Sequence, residues 1–369
     1  MKKSVYISVL IGTALLSAIL AVVVYRNVDS PESADTPDIA TIKRLLSAGA
    51  EMTLFTEDGR EIWSYHKHPF RRETFSPLFP PPILNNITEQ GIRHITSISI
   101  CADIFSKSDV PLADIQFLGT LPKLEDFSIV SGNLSDSLAE AIGNNLNNMS
   151  VLWLENTTLT PDVWRGLGKL RNVSVLWLLD VNLPTEIFED GTEMSPVGLL
   201  IDNVRISEAG LKTLIRTDKL KTISLNTTNV SDDITSFFDK CPKLESIWIN
   251  NSKIKCLFVA QMQHTDKLRS LYLANTNIDD DILSSVSRFP NLNELTIHES
   301  KVTEASIPLL ETLAQHFYRI LVRNNNVNLF DYRRPLDPRL RELIDSNPFS
   351  QEIQQQFISD ELDLLFGQK

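Results

Sequence analysis

Cysteine is nearly absent from this chain: Cys101, Cys241 and Cys256 are the only three in 369 residues. An odd number with no Cys-x-x-Cys pair supplies neither a disulfide framework nor a zinc signature, and leaves a Cys241–Cys256 bridge as the one pairing still open. Positive charge is also scarce. Lys and Arg number 35 against 47 Asp and Glu, a net charge of −12, which argues against nucleic acid as a general partner because phosphate binding needs a basic face. Catalytic signatures are missing too: there is no Gly-x-Ser-x-Gly, no His-Glu-x-x-His and no Walker loop. His66 and His68 are the one close pair of imidazoles. With no acid or cysteine close by and Pro69 next door, they make a poor metal site. No metal or cofactor is implied, and the chain reads as a non-enzyme.

Charge is also missing from one long stretch. Ser4–Tyr25 contains 22 residues without a charged side chain, enough to cross a hydrocarbon core that needs about 20. Lys2 and Lys3 precede it, and Asp29, Glu32, Asp35 and Asp38 follow. This asymmetry predicts an N-terminus in the cytoplasm and the remaining chain outside it. A cleaved signal peptide is the rival. Its apolar core usually spans only about 7–15 residues, and no small-x-small site closes this one, so residues 1–25 are read as a cytoplasmic stub and an uncleaved signal anchor. Residues 26–38, rich in Pro, Ser and Asp, read as a flexible acidic linker.

Beyond the linker the chain is dominated by a repeat. Leu268-Arg-Ser-Leu271-Tyr-Leu273-Ala-Asn-Thr276-Asn-Ile278 matches Leu244-Glu-Ser-Ile247-Trp-Ile249-Asn-Asn-Ser252-Lys-Ile254 position by position. The template L-x-x-L-x-L-x-x-T-x-I begins at 124, 149, 173, 196, 220, 244, 268, 292 and 317, in steps of 23 to 25 residues. A fixed period in this range signals a solenoid, in which each unit buries its apolar face against its neighbours. The L-x-x-L-x-L portion alternates as a strand does, with the leucine slots inward and the intervening residues outward. Thr157, Thr228, Ser252, Thr276, Ser300 and Asn325 then turn a hydroxyl or amide into the bend, while Gly132, Val181 and Val204 interrupt that ladder. Ser231-Asp-Asp, Ser207-Glu and Thr303-Glu start short helices as N-caps with acids on the helix dipole. Apolar anchors follow: Ile234, Phe237 and Phe238, or Leu211, Leu214 and Ile215. The chain is thus an α/β solenoid with parallel strands on one face and helices on the other.

These residues resemble the leucine-rich repeat family, over 124–330 and more weakly from 95. The resemblance implies a right-handed horseshoe with its strands on the concave face and, most often, a protein- or peptide-binding scaffold. Members share no common chemistry. Residues 39–123 read as an N-terminal cap. A helix begins at Ile39, with Ile42, Leu45 and Leu46 on one face and Gly49 ending it. Asp58-Gly59 makes a hairpin between 52–55 and 62–65, and Ile95, Ile98 and Ile100 form a degenerate first unit. Cys241 fills a buried slot held by Leu121 and Phe289 in sister units. After Val327 the period stops. Residues 331–369, with helical patterns at 336–344 and 351–366, read as a C-terminal cap or as a docking helix for a partner.

Function is expected in the slots that vary. The outward position between the second and third leucines holds Ser128, Trp153, Trp177, Leu200, Ser224, Trp248, Tyr272, Thr296 and Leu321, so three of the five tryptophans share one slot. Val175 and Leu179 extend the apolar patch, and Glu155, Asp202, Asn226 and Asn250 lie one outward step on. His298, Arg319 and Arg323 reverse the charge at the far end. Exposed aromatics in a contiguous stripe mark binding surfaces, where Trp and Tyr lead among energetic hot spots. The competing role is ring stacking that stabilises the sheet. Eight Asn-x-Ser/Thr sequons, at Asn86, Asn133, Asn148, Asn156, Asn172, Asn226, Asn229 and Asn250, are read as products of the template rather than glycan sites. The sequence therefore predicts a single-pass membrane protein displaying a binding solenoid outside the cytoplasm. A structural scaffold of an envelope assembly, and a hydrolase sited in the N-terminal cap, are the alternatives. The partner is a protein or peptide of unspecified identity, with no nucleic acid and no small-molecule cofactor.

Overall fold

A computed structural model describes residues 36–52, 54, 55, 59, 61–63, 87–107, 110–183, 194–324 and 327–333. The expected anchor at Ser4–Tyr25, most of the linker, His66, His68, Asn325 and the two C-terminal helical patterns lie outside them. Among the described residues no helix is long and apolar enough to cross a membrane. The chain divides into two compact units, Met1–Met194 and Ser195–Lys369.

In the first unit four strands run parallel: β4 (Ser97–Cys101), β5 (Asp126–Ser131), β6 (Val151–Glu155) and β7 (Val175–Leu179). Their registers place Ile98, Phe127, Leu152 and Leu176 in one inward row and Ile100, Ile129, Leu154 and Leu178 in the next. All eight are at most 1% exposed. Full burial of such a side chain stabilises by about 1.5–3 kcal/mol, so these rows are the main reason the rungs stack. The helix expected from Ile39 begins at Pro37 and runs to Ser47, with Ile42, Leu45 and Leu46 buried. Gly49 then takes φ +100°, a left-handed conformation that glycine adopts without a Cβ penalty. The hairpin around Asp58-Gly59 pairs β2 (Leu54–Phe55) with β3 (Glu61–Trp63). The preceding β1 (Glu51–Met52) pairs antiparallel with β4 instead, so the parallel run starts against a strand of opposite direction.

The second unit carries six parallel strands: β8 (Gly198–Asp202), β9 (Thr222–Asn226), β10 (Ser246–Asn250), β11 (Ser270–Ala274), β12 (Glu294–His298) and β13 (Arg319–Asn324). The inward row Ile223, Ile247, Leu271, Leu295 and Ile320 is in register and at most 1% exposed. A further strand, β14 (Val327–Arg333), pairs antiparallel with β13. The sequence reading ended the repeats there and missed it. A strand that departs from the repeat has no sister unit to reveal it.

The helical side starts at hydroxyl caps, of which Ser207, Ser231 and Thr303 were expected. Ser135, Thr160 and Ser207 accept from the backbone N–H three residues on, at 3.2, 3.1 and 3.1 Å, and open the helices Asp136–Asn145, Pro161–Leu167 and Glu208–Leu214. Ser231 and Thr303 cap shorter 3₁₀ turns. In the first unit the helices pack backbone to backbone through glycine: a Cβ on Gly143 would lie 2.0 Å from the carbonyl oxygen of Gly166. Asp114 ties the N-terminal helix down by accepting from Nε and Nη2 of Arg44 at 2.8 and 2.6 Å.

Candidate ligand-binding face of the strands

Strand alternation sends every second residue outward, and parallel registers bring equivalent outward residues into rows. In the first unit Ser128, Trp153 and Trp177 share a row. The two indoles stack with centroids 4.2 Å apart and planes 23° apart. Such a pair contributes about 0.5–1.5 kcal/mol beyond its area burial. Val151 pairs with Val175 below this row, and Glu155 with Leu179 above it. Trp153 is half-buried, and its Nε1–H has no hydrogen-bond partner within the protein.

In the second unit Leu200, Ser224, Trp248, Tyr272, Thr296 and Leu321 form the corresponding row. Trp248 and Tyr272 stack at 4.9 Å and 22°, and Tyr272 meets the His298 ring at 5.7 Å and 48°. Trp248 donates its Nε1–H to Ser246 Oγ at 2.6 Å, which fixes the indole from the strand's own entry residue. Sequence reasoning passed over Ser246; a serine two residues before a strand tryptophan is the signal for it.

The stripe is less open than expected. Trp177 is 9% exposed and Leu200 5%, and none of the other candidates, Trp153, Glu155, Val175, Leu179, Asp202, Asn226, Trp248, Asn250 and Tyr272, is more than half-buried surface. Rings laid flat on the next rung spend one face on each other. The stacking role and the binding role therefore use different faces of the same side chains.

The polar row is also partly committed. Asn226 Nδ2 donates to Asp202 Oδ1 at 2.9 Å, and Asn226 Oδ1 accepts from Asn251 Nδ2 at 3.1 Å. Asn275 Nδ2 continues the chain to Asn251 Oδ1 at 2.9 Å. These amides belong to a column that the sequence reading did not single out. Asn156, Asp180, Asn203, Thr227, Asn251, Asn275 and Glu299 follow successive strands and all have φ between 46° and 52°. Asn tolerates this left-handed conformation better than most residues, and its recurrence at the eighth template position was the available clue. In the second unit the turn sends its N–H to the next rung, as from Asn203 to the Asn226 carbonyl at 3.0 Å. Just below it the ladder hydroxyls Thr157, Thr228, Ser252 and Thr276 are buried as predicted, with Thr228 Oγ1 and Ser252 Oγ 3.3 Å apart.

Electrostatics vary along the second unit. Glu294, Arg319 and Ser270 are neighbours in register on β12, β13 and β11. Burial pushes the Glu294 carboxyl above its ordinary pKa, with Arg319 and a hydrogen bond from Ser270 opposing it. Cys241 and Cys256 are free thiols, not a bridge, and burial pushes both up to about 12. Among the described residues no group of three or more His, Cys, Asp or Glu is placed to hold a metal.

The repeat spacing and the strand registers define the class: an α/β solenoid of the leucine-rich repeat type in each unit. No protein-family model matches the chain, and no curated protein is significantly similar to it in sequence. Similar solved structures are leucine-rich repeat proteins. Internalin C2 of Listeria monocytogenes shares 17% identity over 54% of this chain and 80% of its own, with a TM-score of 0.33. A leucine-rich repeat protein of Leptospira interrogans shares 15% over 61% and 64%, with a TM-score of 0.29. TLR13, solved as a complex with ssRNA13, shares 16% over 59% of this chain and 34% of its own length, with a TM-score of 0.40.

Proposed function

We propose that this protein is a membrane-anchored, extracytoplasmic scaffold that binds a protein or peptide on the outward face of its strands and catalyses no reaction. The stacked Trp153–Trp177 pair carries this reading. Trp153 lies half-exposed over the buried Trp177, beside the part-exposed Val175 and Leu179, and together they form an apolar patch that a contact would cover. In the second unit Leu200, Asp202, Asn226, Trp248, Asn250 and Tyr272 supply the equivalent surface. The anchor is Ser4–Tyr25, which would keep the solenoid at the membrane surface; resistance of the intact chain to alkaline extraction from membranes supports it, and full release refutes it.

Trp153→Ala combined with Trp177→Ala tests the binding claim. The expected result is a loss of partner affinity of about tenfold or more, as for interface hot spots, with the fold retained by circular dichroism. Unchanged affinity for a confirmed partner contradicts it. A purely structural scaffold is the second reading, and the rung-to-rung ring stacking favours it. On that reading the double variant loses stability and no partner affinity.

A further inference from the structure

The second unit carries a charged feature that the aromatic rows do not explain. Arg323 lies outward on β13, opposite His298 in register, and His298 packs against Tyr272. The Arg323 Nε is shut off from solvent and has no hydrogen-bond partner. Among the described residues its guanidinium forms no ion pair. Arg319, two outward steps back along β13, faces Glu294 instead. Asp331 on β14 lies opposite Leu321, between the two arginines, and pairs with neither. An arginine half-withdrawn from water without a carboxylate is an uncommitted bidentate donor, and it stands out in a chain of net charge −12.

We propose that this end of the second unit reads an acidic side chain of an extended protein segment, with Arg323 holding the carboxylate while Trp248 and Tyr272 hold an apolar or aromatic residue of the same segment. This rests on the binding role proposed above and specifies its partner. The spacing follows from sheet geometry. Tyr272 and Arg323 are two strands apart and one outward step offset, about 10 Å across and about 7 Å along. The diagonal is about 12 Å, which an extended chain covers in three to four residues at about 3.3 Å each. The favoured segment therefore has an Asp or Glu three or four positions from a bulky apolar residue.

A random dodecamer display library, panned on the full chain in detergent micelles, is the probe. The expected outcome is enrichment of peptides with that spacing. Replacing their acid by its amide should weaken binding about tenfold, in the range of a lost charged contact at an interface. Arg323→Gln, which keeps the aliphatic stem, should lower the affinity of the acidic peptide to that of its amide; Arg323→Lys should restore part of it. Enrichment without an acidic preference, or an acid-to-amide difference that persists in Arg323→Gln, overturns the inference. So does preferential capture of a single-stranded RNA oligomer through the same residues. Peptides that depend on Trp153 and Trp177 but ignore Arg323 refute this inference and leave the binding role standing. Enrichment of no peptide at all contradicts both.

Discussion

Gly143 sits in the last turn of the helix Asp136–Asn145, where alanine would ordinarily stabilise by up to about 1 kcal/mol through helix propensity. The packing reverses that sign. A Cβ at Gly143 would lie 2.0 Å from the Gly166 carbonyl oxygen and 3.2 Å from Lys169 Cβ. Backbone cannot rotate away as a side-chain tip can, so the helices Asp136–Asn145 and Pro161–Leu167 must part by about 1 Å, a gap that forfeits up to about half of the dispersion energy across the contact. Overpacking costs about 1–3 kcal/mol and sometimes more; a backbone collision belongs at the upper end. After the propensity gain, Gly143→Ala should destabilise by about 2–3 kcal/mol. Because a solenoid is stabilised by nearest neighbours, the effect should be local. Amide hydrogen exchange across 136–167 should accelerate about 30- to 150-fold, the equivalent of that energy, with little change in the second unit. Gly49→Ala is the control. Gly49 has φ +100° and open space around its Cβ, so it should cost about 1–2 kcal/mol of backbone strain and leave exchange at 136–167 unchanged. A neutral or stabilising Gly143→Ala would refute the close-packed helix account.

Asp114→Asn should destabilise the N-terminal cap by about 1–2 kcal/mol, because it weakens a bidentate contact to an arginine that remains partly in water; urea midpoints of the variant and wild type measure it. Native-state alkylation at pH 8 should label Cys101, which is half-exposed, while Cys241 and Cys256 stay unmodified, since burial pushes both thiols up to about 12; mass spectrometry of tryptic peptides reads the sites. Glu294 has a raised folded-state pKa, so the folded state favours its protonated form. That contribution is present below the unfolded pKa of about 4.3 and is lost as pH rises through the folded value. Glu294→Gln should therefore raise the urea midpoint at pH 7 relative to wild type and have a smaller effect at pH 4. A midpoint that falls at pH 7 would mean that the Arg319 and Ser270 contacts outweigh burial.

The fold was legible where a residue's neighbour is its own sister one period on. Ile247 is buried because Ile223 and Leu271 flank it in register, and the template alone places all three. The same holds for the caps at Ser207 and Thr303 and for the ladder from Thr228 to Ser252. What the template could not supply are contacts made once. β1 and β14 close their runs in the opposite direction, and pairing at an edge is set by the one strand that ends there. The Gly143–Gly166 approach depends on how two helices settle. At the site, the rows of Trp153 with Trp177 and Trp248 with Tyr272 followed from spacing. The burial of Trp177 and Leu200 did not, because exposure on an outward face depends on the sizes of the side chains to either side. The left-handed column at Asn156, Asn203, Asn251 and Asn275 went unread although asparagine recurs there, because only the φ of the turn gives that recurrence a meaning.

On the proposed reading the outward strand face, not the helical side, meets the partner. A photo-crosslinking residue placed at Glu155 or Asn250, on the strand face, or at Glu140, on the exposed side of a helix, tests it in native membranes. Positions 155 and 250 should give a discrete crosslinked species, position 140 should not, and Trp153→Ala with Trp177→Ala should remove the product at 155. A product at position 140 alone, or one at 155 that survives the loss of both tryptophans, would contradict it.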